Sequence, residues 1–398
     1  MTAEGVPTRD GLGAWCGWVM VGVAGLTPWM AWLGPLGFAA LMALAGLLCL
    51  PAVRIPARQT PLAIILLLGL AWAGFSTLWT AQRAQVVEDS VALKLAVQLP
   101  LYFAAWCGAR RADPAIAGLA LRILAWGLAA YGCLLLAEAF TGGGVYGTLR
   151  VLIEDPIRPD LGRKNIAQGS FVLALVWPVG AVAGLRGGAP LWLAVPMAVG
   201  TAVLAQGFLS DAPVLAVGLA LGVGATVWIW PRSAPKAMGL AAAGMMLVMP
   251  LLILAVRMAG TGAHLPTSWD QRMGYWAFTM GRIADHPWRG WGLDASRAFG
   301  PGIQLHPHDA ALQIWMELGL IGAVAAAIVW AAIFTGLSRP ARSPAAAASA
   351  AATAAYLVFG AVSFGVWQEW WLGLGALTAL ACILVLRSRT IDLSSHSV

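Results

Sequence analysis

Charge is what this sequence has least of. Only 10% of its 398 residues are Asp, Glu, Lys or Arg, against roughly 25% in soluble domains. The deficit runs the whole length, and 60% of the residues are hydrophobic. That excludes a soluble globular chain and leaves an integral membrane protein of α type, because a β-barrel would show short alternating segments. Cysteine is scarce too: the five (16, 49, 107, 133 and 382) all lie inside apolar runs. They read as small buried hydrophobes, and their spacing suggests neither a metal site nor a disulfide framework. There is no HExxH, no Asp-x-Asp pair and no serine nucleophile elbow, so no metal and no cofactor is expected. No internal repeat is evident, and the first apolar run has no signal-peptide cleavage pattern. The net charge of +7 comes from basic residues in short segments between apolar runs, so nucleic acid is not the expected partner.

What is present is a succession of apolar runs. A span needs about 20 apolar residues, and about twelve candidates centre on 13–31, 34–52, 61–79, 93–109, 115–138, 169–185, 189–209, 212–230, 237–256, 311–337, 345–366 and 370–386. The expected fold is an all-α polytopic membrane protein, a single transmembrane domain over 1–398 with about twelve transmembrane helices. With the N-terminus inside, the inner segments carry Arg9, Arg54, Arg58, Arg110, Arg111, Arg186, Arg232, Lys236, Arg339, Arg342, Arg387 and Arg389, while the short outer loops are nearly bare. This positive-inside pattern predicts N-in and C-in. Arg122, Glu138 and Glu317 are read toward span ends, and an ion pump would carry more charge within its spans.

Two outer segments are long. The first, 141–168, carries Arg158, Arg163 and Lys164. The second, 257–310, holds His264, His286, His306 and His308, four of the five histidines, with Arg272, Arg282, Arg289 and Arg297. Polar chemistry is expected there. Met273, Trp276, Ala277, Met280, Ile283 and Ala284 recur at helical spacing, with Thr279, Arg282 and Asp285 elsewhere on the wheel. This predicts a short amphipathic helix on the membrane surface or capping the spans, ended at His286 because Pro287 disfavours helix before it. Trp269, Trp276, Trp288 and Trp291 fit an interfacial aromatic belt. Gly290, Gly292, Gly300 and Gly302 make the next stretch a loop.

His306-Pro307-His308-Asp309 is the first candidate for chemistry. An imidazole near its reference pKa of about 6.5 suits a general base. Equally, Pro307 and Asp309 can simply start a helix, with both histidines solvated. Arg158, Arg163, Lys164 and Arg272 share one side of the membrane and suit a lipid diphosphate. Each also suits headgroup anchoring or an ion pair with Asp155, Asp160 or Asp270. If phosphate is handled here, arginine handles it.

The segment HPHDAALQIWMELGLIG resembles the O-antigen ligase family, whose hallmark is His, then Asn, Ser or Gln, nine residues, then Gly-x-x-Gly. His308, Asp309, Gly319 and Gly322 occupy those positions. The upstream RMGYWAFTMGRIADHPWRGWGLDASR, with its Pro-x-x-Gly-x-Gly, and GRKNIAQGSFVLALVWP are similar to the family as well. The resemblance implies a GT-C-type membrane glycosyltransferase of the bacterial inner membrane, active on the periplasmic face. It would take O-antigen glycan from undecaprenyl diphosphate and pass it to a hydroxyl of lipid A-core, inverting the anomeric centre without a metal. Carried over, His308 matches the catalytic histidine, and Arg272 and Arg163 match the diphosphate-binding arginines, with Arg158 close to Arg163. Secondary candidates are His306, Asp309, Arg282 and Arg297. Asp309 departs from the motif, and an acidic neighbour is expected to raise the pKa of His308. A repeat-unit polymerase of the same superfamily is the nearest alternative reading, and a membrane transporter or a purely structural membrane protein a more distant one. The partners expected are the lipid-linked donor, the lipid A-core or other glycan acceptor and membrane lipids. The site needs one chain, so a monomer is expected.

Overall fold

A computed structural model describes residues 10–55, 57–208, 210–259 and 267–388. Arg9, His264 and Arg389 lie outside the described residues. Those described form no strand and fourteen α-helices: α1 (Gly11–Leu33), α2 (Phe38–Cys49), α3 (Thr60–Ser76), α4 (Val91–Arg111), α5 (Pro114–Thr141), α6 (Gly144–Leu152), α7 (Pro159–Arg186), α8 (Ala194–Gly207), α9 (Asp211–Ile229), α10 (Ala234–Ala259), α11 (Thr267–Asp285), α12 (Ala310–Thr335), α13 (Pro344–Val362) and α14 (Glu369–Arg387). Every apolar run of the sequence is helical. Among the described residues ten helical segments are long and apolar enough to cross a membrane, while Thr60–Ser76 and Leu191–Gly207 are apolar but shorter.

Local chemistry sets the ends. Asp113 caps α5 by accepting from the Ala115 and Ile116 N–H groups, Pro114 stands at its first turn, and Gly142 closes it in the left-handed region. α7 corrects the expected boundary. It begins at Pro159 rather than near 169, so Arg163 and Lys164 stand on a helix and not in a loop. The charges at 158–164 depress local hydropathy, but Pro159 after an extended Arg158 was the available start signal. The 141–168 segment also contains α6. Two cysteines differ from expectation: Cys133 is exposed and Cys382 only partly covered.

The chain divides into two compact units. The first gathers Met1–Arg54, Pro100–Gly218 and Gly373–Val398. Here α5 packs on α1, α7 and α8. Gly132 and Gly200 bring the α5 and α8 backbones together where any Cβ would collide, the small-residue packing that suits membrane helices. Glu138 is wholly buried and takes the Trp32 indole N–H at 2.8 Å. The second unit gathers Ile55–Leu99 and Leu219–Leu372. α12 is its centre, against α10, α3 and α11. The α13 run Ala345–Ala355 is small-residue helix and almost wholly buried, as its alanine content predicts.

Candidate functional site

The site in the second unit is built on a broken helix. Asp309 caps α12, its side chain accepting from the Leu312 N–H at 2.9 Å. Further along, Gly319 adopts φ 66°, ψ −163°, a region only glycine enters readily. Three carbonyls beside the break accept from outside the helix. Met316 O accepts from Trp291 N and Glu317 O from Gly292 N, both at 2.8 Å, and Leu318 O accepts from the Trp72 indole at 3.0 Å. Leu320 N donates to Pro287 O at 2.9 Å. Residues 287–292 thus run along 316–320 by backbone pairing. A Cβ on Gly290 would collide with the Glu317 carbonyl, and one on Gly319 with the Trp288 carbonyl. The Pro-x-x-Gly-x-Gly stretch and the first glycine of Gly-x-x-Gly are therefore two halves of one contact.

Glu317 stands toward the start of α12, is completely buried and collects four donors. These are the Asp294 N–H (2.8 Å), the Ser296 N–H (3.4 Å), the Gln313 amide (3.1 Å) and the Trp367 indole (2.5 Å). One carboxylate ties the loop after α11 to the connection before α14. A lone carboxylate in an apolar run was the signal that could have found it.

α11 packs against α12 and α10. Its Trp276 and Ile283 pack with Ile253, Ile303, Leu312 and Met316. Thr279, expected off the apolar face, is buried with its hydroxyl donating to Tyr275 O, whereas Ala284 is exposed. Of the four tryptophans Trp288 alone is exposed, and Trp276, Trp269 and Trp291 join the packing. The Trp276 indole donates to Pro307 O at 3.0 Å, which fixes the His-Pro-His turn. Arg282 stands over Phe278, Trp291 and Phe299 and pairs with Asp285 at 3.3 Å, an arrangement that holds structure.

His306 and His308 are neighbours, ring centroids 4.2 Å apart, and neither is solvated as a simple helix start would leave it. His308 is in the left-handed region at φ 56°. Its Nδ1 lies 2.9 Å from Ser363 O. A carbonyl only accepts, so Nδ1 carries the proton and Nε2 keeps its lone pair. Burial lowers the pKa of His308; the Ser363 carbonyl partly opposes this, and the Arg272 charge adds to it. The expected rise from Asp309 is thus overturned: that carboxyl is turned to the helix N–H groups and is itself pushed up to about 7 by burial. His306 Nδ1 accepts from His308 N at 3.2 Å, which puts its own proton on Nε2; the Gln368 amide lies 3.3 Å away, and only its oxygen can accept that proton, so the oxygen is the end turned to His306. Burial, with His308 and Arg297, lowers the His306 pKa to about 3.

Arg272 reaches the same place from α11. Its Nε donates to Val362 O at 3.1 Å, and its guanidinium lies 5.4 Å from the Trp269 ring. Val362 ends α13, and Ser363 caps it. The base candidate and the cation candidate are therefore anchored on consecutive carbonyls at a helix C-terminus, where cations are favoured. Arg297 pairs with Asp294 at 3.0 Å and faces His306. Arg158 and Arg163 belong to the first unit. Arg158 is exposed and paired with Asp160 at 2.7 Å. Arg163 Nε donates to Gly142 O at 3.3 Å.

Asp309 gives a pH prediction. Its folded pKa of about 7 stands above the ordinary 3.8, so the stability it contributes is complete below about 4 and is lost as pH rises through 7. Asparagine caps equally well and does not titrate. Asp309→Asn is expected to remove a loss on the order of 3 kcal/mol between pH 5 and 8. Thermal melts of both proteins in detergent at the two pH values check this; parallel pH dependence in the two would refute it.

A half-buried imidazole and an anchored guanidinium thus meet in a helical chain with many segments long and apolar enough to cross a membrane. Residues 196–327 match the family described as O-antigen ligase, a range that contains Arg272, His306, His308, Gly319 and Gly322. Over that stretch the chain is similar to the O-antigen ligase family. It is 27% identical to a Rickettsia conorii protein that carries the provisional name polysaccharide ligase, over 26% of this chain and 29% of that protein. A Rickettsia prowazekii protein of the same provisional name is 27% identical over 25% of this chain and 28% of its own length. The chain thus spans under a third of the curated relatives it matches. No solved structure matches it.

Proposed function

We propose that this chain transfers O-antigen glycan from undecaprenyl diphosphate to a hydroxyl of lipid A-core, at the periplasmic face of the bacterial inner membrane. One observation carries the reading: His308 and Arg272 are held on the adjacent carbonyls of Ser363 and Val362. The acceptor oxygen attacks the anomeric carbon while His308 Nε2 takes its proton. The bond from that carbon to the diphosphate breaks, and the diphosphate leaves with the electron pair. Arg272 offsets the charge that builds on it. A neutral imidazole is the form that accepts a proton, and burial favours that form at His308.

The test is reconstitution of the full chain in vesicles with polyprenyl diphosphate-linked glycan and lipid A-core. The expected outcome is glycan on the core and free polyprenyl diphosphate, with Arg272→Ala slower by at least about tenfold, the loss of one charge-assisted contact. Glycan lengthening on its own carrier would mean the polymerase. No transfer to either acceptor would overturn the reading.

A further inference from the structure

His306 separates His308 from a polar notch of about 30 Å³ lined by Asp294, Arg297, Gln313, Trp367 and Gln368. That is room for one or two water-sized groups. Two of its walls are fixed. Gln313 is spent on both sides, donating to Glu317 at 3.1 Å and accepting from Val366 N at 3.0 Å, and the Trp367 indole is spent on Glu317. Three groups keep capacity. One end of the Gln368 amide meets His306, while the other terminal atom is buried with no hydrogen-bond partner among the described residues. Asp294 receives Arg297 Nε through one oxygen. The two terminal nitrogens of Arg297 bond to no described residue.

A carboxylate in the wall disfavours an anion, so diphosphate does not suit this notch. An acceptor, two donors and an amide end lining one notch suit a neutral polyol, which offers both donors and acceptors. A buried amide end without a partner is costly until something pairs with it. We infer that the notch binds a hydroxyl or hydroxymethyl edge of a saccharide and thereby aligns the reacting sugar with His308. This rests on the glycosyl-transfer reading above. The saccharide is the terminal sugar of the acceptor or the first sugar of the donor.

Steady-state kinetics of the reconstituted full chain separate these. Gln368→Leu removes the amide, and Asp294→Asn removes the charge while tolerating the left-handed φ of 63° at that position. Thermal melts confirm that each variant is folded. In each variant KM is expected to rise about tenfold or more for one saccharide substrate, with kcat within about threefold, as loss of a substrate hydrogen bond predicts. A shift confined to the acceptor's KM assigns the notch to the acceptor sugar, and one confined to the donor's KM assigns it to the donor. Unchanged KM values in both variants, or a fall in kcat alone, would overturn the inference while leaving the transfer reading intact. A wild-type chain that transfers nothing would remove both.

Discussion

Replacing His308 with alanine is expected to slow glycan transfer about 10²–10⁴-fold, the usual range for loss of a general base, with the donor's KM changed little. The side chain makes one hydrogen bond, to Ser363 O, and its removal leaves Arg272 on Val362 O. His308→Asn is the matching variant, because asparagine tolerates φ 56° better than alanine and still lacks a base. In a deletion strain carrying either variant, long chains are expected to vanish from lipid A-core and to build up on undecaprenyl diphosphate. A wild-type ladder from both variants would sink the assignment of His308. The wild-type rate should be flat between pH 7 and 8 and fall only at a pH below the ordinary imidazole range, because the His308 pKa is lowered and the neutral ring is the reactive form. A rate that climbs steadily from pH 7 to 8 would mean that Asp309 raises the imidazole after all.

The helices were legible because apolar runs and their breaks are local properties. Gly34-Pro35 splits the first long run, Pro287 ends α11 after Asp285, and Asp309 caps α12, all readable residue by residue. The 158–164 stretch was not, because its charges mask a helix that Pro159 starts. His308 and Arg272 were reachable through chemistry and motif, yet their anchors were not. Val362 and Ser363 act through backbone carbonyls, and no side-chain type signals that. Glu317 was visible as a residue toward a span end, but its role was not, since its donors come from positions 294, 296, 313 and 367. The direction of the His308 shift failed for a related reason. Sequence adjacency to Asp309 says nothing of where that carboxyl points, and it points at Leu312 N.

The largest stability effect is expected at Gly319. Alanine there meets two separate penalties. The backbone at φ 66°, ψ −163° costs a residue with a Cβ about 1–3 kcal/mol, and the new Cβ would run into the Trp288 carbonyl, which is backbone and cannot swing away. Relief requires 287–292 to retreat from 316–320. That loosens the bonds from Trp291, Gly292 and Trp72 to Met316 O, Glu317 O and Leu318 O, and each buried carbonyl left bare costs about 1–3 kcal/mol. Gly319→Ala is therefore expected to lose about 4 kcal/mol or more and to inactivate the protein, since the loop that moves continues into Asp294, His306 and His308. Gly281→Ala is the control. Gly281 lies within α11 with nothing near its missing Cβ, so alanine should be neutral or stabilise by about 0.5–1 kcal/mol. Thermal melts in detergent, followed by tryptophan fluorescence, compare the two. Equal melting temperatures would refute the lock between the two glycine motifs. A depressed value for Gly319→Ala alone would tie the second motif glycine pair to backbone packing and leave the chemistry to the histidine.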